Sequence, residues 1–330
     1  MLYRPFGKLG WYVSAIGMGT WNIGNQWGEI DDVTAWGTVR AAFDAGMNLF
    51  DTAESYGIPN GLSEMRLGVG LAGVRHNVYV VSKVGHWGER TGQAVPKTTP
   101  DMIRLCGHAI LGRLRTDWVD VLLCHEADLL EPDVYLEGFE ALKGEGAIRA
   151  YGISTNSLDV LQRFDTNGTC NVLEVDYSLL NRRPEADVLP YCQEHGIAVL
   201  VRGPLRRGLL SGKYTRDSTF TDAVRSVWNP GQPGRAEYER EVARVERLKQ
   251  QMEDERKQKR EEFQTVRIER QVEAMKKLLE LTDEEAAQVR RILTLQHNEL
   301  VRLRELSREN PERFREALRA LQIRIDELMK

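Results

Sequence analysis

Asn48-Leu49-Phe50-Asp51-Thr52-Ala53-Glu54-Ser55-Tyr56-Gly57 is the stretch that decides how this chain is read. Its apolar start, residues 48–53, has the pattern of a β-strand. Asp51 stands at the strand's end and Tyr56 just beyond it. Two further apolar runs end the same way. Residues 78–84 carry Ser82-Lys83, and residues 119–125 close on Cys124-His125. In a parallel barrel, a residue at the carboxyl end of a strand points into the mouth where chemistry takes place. Asp51, Tyr56, Lys83 and His125 together can make a working proton donor. A free phenol titrates near about pH 10. A cationic Lys83 lowers that value, Asp51 holds the lysine, and His125 reaches the substrate oxygen. Taken singly, each has a plainer explanation: a surface tyrosine, a snorkelling lysine, an Asp51-Thr52 helix cap, a core histidine.

Working outward, strand-like and helix-like patterns alternate. The strand candidates are residues 13–20, 48–53, 78–84, 119–125, 148–155, 172–178 and 197–204. Helical patterns lie between them at 32–45, 62–71, 100–114, 132–143, 157–164 and 184–195. Thr99-Pro100 and Glu131-Pro132 place proline at a helix start, and Ala45-Gly46 and His195-Gly196 mark helix ends. Repeated βα units with continuously apolar strands predict an α/β fold, with a parallel sheet covered on both faces. The strand count is seven, one short of a closed (β/α)₈ barrel. Residues 3–9 and 11–13 suit a small hairpin.

Composition divides the chain near residue 249. All 29 glycines lie at or before Gly234 and all seven tryptophans at or before Trp228. Of the 49 acidic and 45 basic residues, 18 of each fall in residues 250–330, so the first 249 carry the whole net charge of −4. A glycine-free, zwitterionic segment is a helical one. Thr282 and Glu285 have capping-box spacing, and Val289, Ile292, Leu293, Leu300 and Leu303 form an apolar stripe. Asn310-Pro311 starts a further helix, with Phe314, Leu318, Leu321, Ile325 and Leu328 spaced as the seam of a helical hairpin or coiled coil. The expected organisation is therefore a barrel over 1–249 and an all-α appendage over 250–330.

The charge balance argues against a nucleic-acid partner. No apolar run reaches the length of about 18 residues that a membrane span needs. The first residues lack a signal-peptide core. Cys106, Cys124, Cys170 and Cys192 form no CxxC pair and read as buried thiols in a cytoplasmic protein. No metal-ligand spacing is visible. His76, His86, His108, His195 and His297 have no sequence neighbour that suggests a role.

Six motifs, in order, resemble the aldo-keto reductase family. They are Gly17-Met18-Gly19-Thr20-Trp21, the 51–57 stretch with its Asp and Tyr five apart, Ser82-Lys83, Asp120-Val121-Leu122-Leu123-Cys124-His125, Tyr151-Gly152-Ile153-Ser154, and Arg202-Gly203-Pro204-Leu205-Arg206-Arg207-Gly208. The resemblance covers about residues 1–249. It implies a TIM-type barrel that reduces aldehyde or ketone carbonyls with NADPH, with Tyr56 as proton donor and Asp51, Lys83 and His125 beside it. It also implies cofactor contacts from Gly19, Thr20, Trp21, Asp51 and Ser154. Arg202 stands where the family stacks a ring on the nicotinamide, and Gly203, Leu205 and Gly208 would pass the pyrophosphate. Two positions depart from the family: Thr155 replaces an expected Asn, with Asn156 adjacent, and Glu174 takes the place of a Gln among the implied cofactor contacts. The eighth strand, which brings the adenosine-binding segment, is missing. Weak cofactor affinity and low or absent reductase activity are therefore expected. The alternative is an inert barrel whose tail binds a protein partner or a second copy. Leu281-Thr282-Asp283-Glu284-Glu285 and Asn310-Pro311-Glu312-Arg313-Phe314 are similar to small periplasmic helical proteins of the Spy/CpxP type.

Overall fold

The structure is a computed structural model that describes residues 1–309, 313–314 and 316–321. Two compact units, Met1–Glu246 and Arg247–Lys330, divide the chain.

In the first unit, β1 (Tyr3–Pro5) pairs antiparallel with β2 (Tyr12–Ser14). The expected strand over 13–20 is split. Residues 12–14 belong to this hairpin, and only β3 (Met18–Gly19) joins the main sheet. Ser14 explains the break: its Oγ donates to the Ile16 carbonyl at 2.9 Å and turns the chain between the two pieces.

Six βα repeats follow: α1 (Asp32–Asp44), β4 (Leu49–Asp51), α2 (Leu62–Gly70), β5 (Tyr79–Val84), α3 (Pro100–Leu114), β6 (Val119–Cys124), α4 (Asp133–Gly144), β7 (Ile148–Ser154), α5 (Leu158–Phe164), β8 (Val172–Asp176), α6 (Val188–Glu194) and β9 (Ala198–Arg202). Local chemistry sets the helix starts. Asp31 accepts from the Thr34 amide at 2.7 Å, and Thr99 caps α3 ahead of Pro100. The expected helix over 184–195 begins later, because Asp187 leaves helical geometry and caps Val188 at 2.6 Å.

The sheet runs β3-β4-β5-β6-β7-β8-β9, all parallel. Among the described residues β3 and β9 each have one neighbour, so the barrel-type sheet is open along that seam. Gly152 permits the close approach of β7 and β8, since a Cβ there would sit 1.7 Å from the Val172 carbonyl oxygen.

Strand side chains alternate between two cores. Phe50, Val80, Leu122, Tyr151, Ile153 and Leu173 face the helices. Leu49, Val81, Val121, Leu123, Ala150, Val172 and Ala198 face inward, with Phe6 and Val13 of the hairpin packed among them as a floor. Burying a side chain such as Phe6 contributes about 1.5–3 kcal/mol. Two residues further along their strands, the same inward parity brings Asp51, Lys83, His125 and Glu174, and on β9 it brings Arg202 four residues after Ala198. The alternation therefore places a polar layer directly above an apolar floor.

The chain continues through α7 (Arg235–Leu279) and α8 (Asp283–Glu309). Within the second unit, Ile268 and Val272 of α7 pack on Ala286, Val289 and Leu293 of α8. Val289 and Leu293, the first part of the 289–303 stripe, thus meet α7. Asn310, Pro311, Ile325 and Leu328 lie outside the described residues. The capping box is formed: the Thr282 amide donates to Glu285 Oε2 at 2.8 Å, and the Glu285 amide to Thr282 Oγ1 at 3.3 Å. No helix among the described residues is long and apolar enough to cross a membrane.

Candidate active site

Lys83 organises the polar layer. Its side chain is fully buried, and its Nζ lies 2.6 Å from Asp51 Oδ1, 3.0 Å from the Thr52 carbonyl oxygen and 3.2 Å from the Tyr56 hydroxyl. Glu174 is also there, with Oε2 at 3.3 Å. One ammonium thus serves two carboxylates. Glu174 does not line the cavity above, where the sequence reading put it. Its inward parity on β8, in register with Ser154 of β7, aims it at the lysine.

The electrostatics follow from burial. Desolvation works against the Lys83 ammonium, but Asp51, Glu174 and Tyr56 outweigh it and hold its pKa up. Partial burial pushes the Asp51 carboxyl up, Lys83 pulls it down, and the Glu174 carboxylate adds to the rise. The Tyr56 phenol is pushed up by burial. Lys83 pulls the other way, while Asp51 and Glu174 reinforce the rise. The expected lowering by Lys83 is therefore outweighed, first by burial of the ring and then by the two carboxylates that accompany the lysine. Tyr56 rests in its proton-bearing form. Burial, then Lys83, His86 and Arg202, holds His125 well below the usual imidazole range, so it is neutral at pH 7.

Tyr56 sits between aromatic neighbours. Trp21 stacks on it at 5.9 Å, and His125 meets it edge-on at 6.1 Å. Its loop is tied down by Gln26, whose Oε1 accepts from the Gly57 amide at 2.8 Å. Above Tyr56 and His125 opens a cavity of about 900 Å³. Gly19, Trp21, Ser154, Arg202, Gly203, Leu205 and Gly208 line it. Thr20 does not: it is fully buried, and its carbonyl accepts from Ser63 Oγ. Asp51 and Lys83 lie off the wall, beneath Tyr56. Thr155 donates to the Ala127 carbonyl at 2.6 Å, and Asn156 accepts from the Asp176 amide at 2.8 Å, so both are engaged elsewhere.

The 204–208 turn presents Arg206 and Arg207 to the cavity. Arg206 is already met by three carboxylates: Asp176 at 3.4 Å, Glu237 at 2.9 Å and Glu241 at 3.6 Å. Sequence reading missed Gln26, Trp27 and Arg225, although all three line the cavity. Arg225 lies over the Trp27 ring at 5.3 Å. The one available signal was an isolated Trp27 among polar loop residues. His86 and His108 also have partners unseen in the sequence, Glu89 at 2.8 Å and Glu145 at 2.7 Å. All four cysteines are buried and free.

The open (β/α) sheet, with a lysine-centred carboxylate and phenol cluster beneath a basic-walled cavity, defines an oxidoreductase of the barrel type. Residues 15–326 match the profile of the Aldo/keto reductase family, and the chain belongs to that family. It is 35% identical over 225 residues to aldo-keto reductase YhdN of Bacillus subtilis (strain 168), covering 67% of each chain. Among solved structures it is similar to the holo form of aldo-keto reductase AKR11C1 from Bacillus halodurans (32% identity, TM-score 0.60, 67% of this chain and 72% of that one). It is also similar to an aldo/keto reductase from Klebsiella pneumoniae in complex with NADP and acetate (32%, TM-score 0.53, 64% and 70%). The chemistry of the family is NAD(P)H-dependent carbonyl reduction.

Proposed function

We propose that this chain reduces a small aldehyde or ketone with NADPH, Tyr56 delivering the proton to the carbonyl oxygen. The observation that carries the reading is the fully buried Lys83 ammonium, within 3.2 Å of Tyr56 and 2.6 Å of Asp51 beneath an open cavity. The wall suits the cofactor. Gly203 and Gly208 have φ of 66° and 91°, a turn that keeps backbone amides free of side-chain cover. Arg202, Arg207 and Lys213 supply positive charge beside it. NADP is the bound form in the Klebsiella relative. Trp21, Ser154, Arg202, Gly203, Leu205 and Gly208 would hold the cofactor, which when bound supplies the hydride.

The chain's own residues handle the proton. Neutral His125 orients the carbonyl oxygen. Tyr56 gives up its proton as negative charge develops there. Lys83 stabilises the phenolate left behind, and Asp51 holds Lys83 in place. Four buried thiols suit a reducing compartment, so the proposed location is the cytoplasm. The seam between β3 and β9 favours one competing reading, an inert barrel whose helical segment binds a protein partner or a second copy.

Fluorescence titration with NADPH separates the two. Saturable binding weaker than micromolar, with turnover of a small aldehyde, is the expected result. No saturable binding would overturn the reductase reading. A sub-micromolar Kd would show that the open seam costs nothing in affinity.

A further inference from the structure

Beside the catalytic group lies a second cluster that the proton chemistry does not use. His86 and Glu89 follow β5, and Glu126 follows β6. One ligand atom from each lies within 4.8 Å of the other two. We infer that His86, Glu89 and Glu126 form a divalent-cation site at the rim of the cavity, suited to a borderline transition ion such as Zn²⁺.

The donor set comes first. One imidazole and two carboxylates are ligands that Zn²⁺ accepts at about 2.0–2.2 Å. Two ligands at a tetrahedral angle then stand about 3.4 Å apart, so an adjustment of about an ångström closes the cluster on an ion. Charge comes second. Glu89 pairs with His86 at 2.8 Å, and the Glu126 carboxylate accepts from the Tyr135 hydroxyl at 3.4 Å. Among the described residues no lysine or arginine forms an ion pair with either carboxylate. Two such carboxylates beside one imidazole gather negative charge that a cation would offset.

The backbone between the ligands is the third point. The loop after β5 is pinned by Glu54, whose Oε1 accepts from the Gly85 amide at 2.8 Å. A Cβ on Gly85 would stand 2.8 Å from the His125 Cβ and 3.1 Å from Glu126 Oε1. The glycine therefore leaves the space in which Glu126 turns towards His86. Tyr135 is placed to orient Glu126 from behind, as outer partners of metal ligands do. Sequence spacing could not show this site, because the third ligand comes from the next strand's loop.

The position gives the site a consequence, which rests on the proposed reductase reading. The His86 ring lies 4.7 Å from the His125 ring, and both line the cavity. An ion held there sits at the approach to Tyr56 and would hinder carbonyl entry. Zn²⁺ should then bind one to a chain and lower turnover.

Competition with a chromophoric chelator measures Zn²⁺ binding without any catalysis. His86→Gln and Glu126→Gln keep side-chain shape, and each should weaken binding at least about tenfold, the scale of losing one well-placed partner of a metal. His297→Ala, in the other unit, is the control and should bind as the parent does. Parent-like binding by both rim variants, or loss of binding in His297→Ala alone, would overturn the site, and so would a parent chain that takes up no Zn²⁺. Turnover is scored separately. Inhibition by Zn²⁺ in the parent and its relief in Glu126→Gln support the rim position, and equal inhibition in both overturns it. A chain that binds Zn²⁺ in this pattern but reduces no carbonyl keeps the site and fails the reductase reading instead.

Discussion

Replacing Tyr56 by Phe isolates one atom. The ring neighbours Trp21, at 5.9 Å, and His125, at 6.1 Å, remain in place, as does the Lys83 ammonium 4.8 Å from the ring centre. Lys83 loses a partner at 3.2 Å but keeps Asp51 at 2.6 Å, the Thr52 carbonyl at 3.0 Å and Glu174 at 3.3 Å. No charge is orphaned, so the stability cost should be about 1 kcal/mol, the net value of one hydrogen bond. Turnover should respond far more. General acid catalysis is worth about 10²–10⁴-fold, or about 3–5 kcal/mol of barrier at about 1.4 kcal/mol per factor of ten. The assay is single-turnover oxidation of NADPH with a small aldehyde, run beside a cofactor titration and a denaturant melt. The expected outcome is a fall in rate of at least about a hundredfold, with cofactor affinity nearly unchanged. A variant with the parent's kcat would remove Tyr56 from the mechanism. An equal loss of cofactor affinity would show that the hydroxyl acts on binding.

Three further outcomes follow from the same cluster. Lys83→Met leaves Asp51 and Glu174 without their cation, so it should lower unfolding free energy by about 3–5 kcal/mol and remove activity, and a denaturation midpoint equal to the parent's would contradict this. Glu174→Gln leaves one carboxylate for one ammonium, and should be at least as stable as the parent near neutral pH; a loss above about 2 kcal/mol would mean that Glu174 is a needed counter-charge. His125 is held below its usual range by burial and by Lys83, so the unfolded chain takes up a proton that the folded chain refuses once the pH falls below the free value near 6.5. Stability present at neutral pH is therefore lost on acidification, by about 1.4 kcal/mol at one pH unit below that value. His125→Asn should remove that part of the slope in pH-dependent denaturation, and an unchanged slope would sink the assignment.

Much of this site was legible because strand parity is legible. Leu49 then Asp51, Val81 then Lys83, and Leu123 then His125 each put an apolar inward residue below a polar one, a pattern readable from single runs. Pairings across strands were not. Glu174 looked like a cofactor ligand until its distance to Lys83 was known, and the burial that outweighs Lys83 at the Tyr56 phenol belongs to the folded loop, not to any single run. The break at Ser14 was hidden for a similar reason. Its hydroxyl bonds to a carbonyl two residues on, and no apolar pattern reports that. Loop partners such as Gln26 and Arg225 carry no periodic signal at all.

The seam between β3 and β9 does not threaten every part of the site equally. At the floor, the hairpin reaches both sides of the opening. The Ser14 amide donates to Asn48 Oδ1 at 2.6 Å, just before β4, and the Lys8 amide donates to the Gly196 carbonyl at 2.7 Å, just before β9. Lys8 Nζ adds a bond to the Gly168 carbonyl at 2.8 Å. Backbone and side chain therefore hold the curvature from below without an eighth strand. Asp51, Lys83 and Glu174 stand on strands paired on both sides, so their geometry is fixed by neighbours. Arg202 and Gly203 stand at the end of β9, an edge with exposed Val201 and one partner. An open edge leaves backbone groups unpaired and local order weaker. The cost of the seam falls on the proposed cofactor wall, while the proton-handling cluster keeps its support.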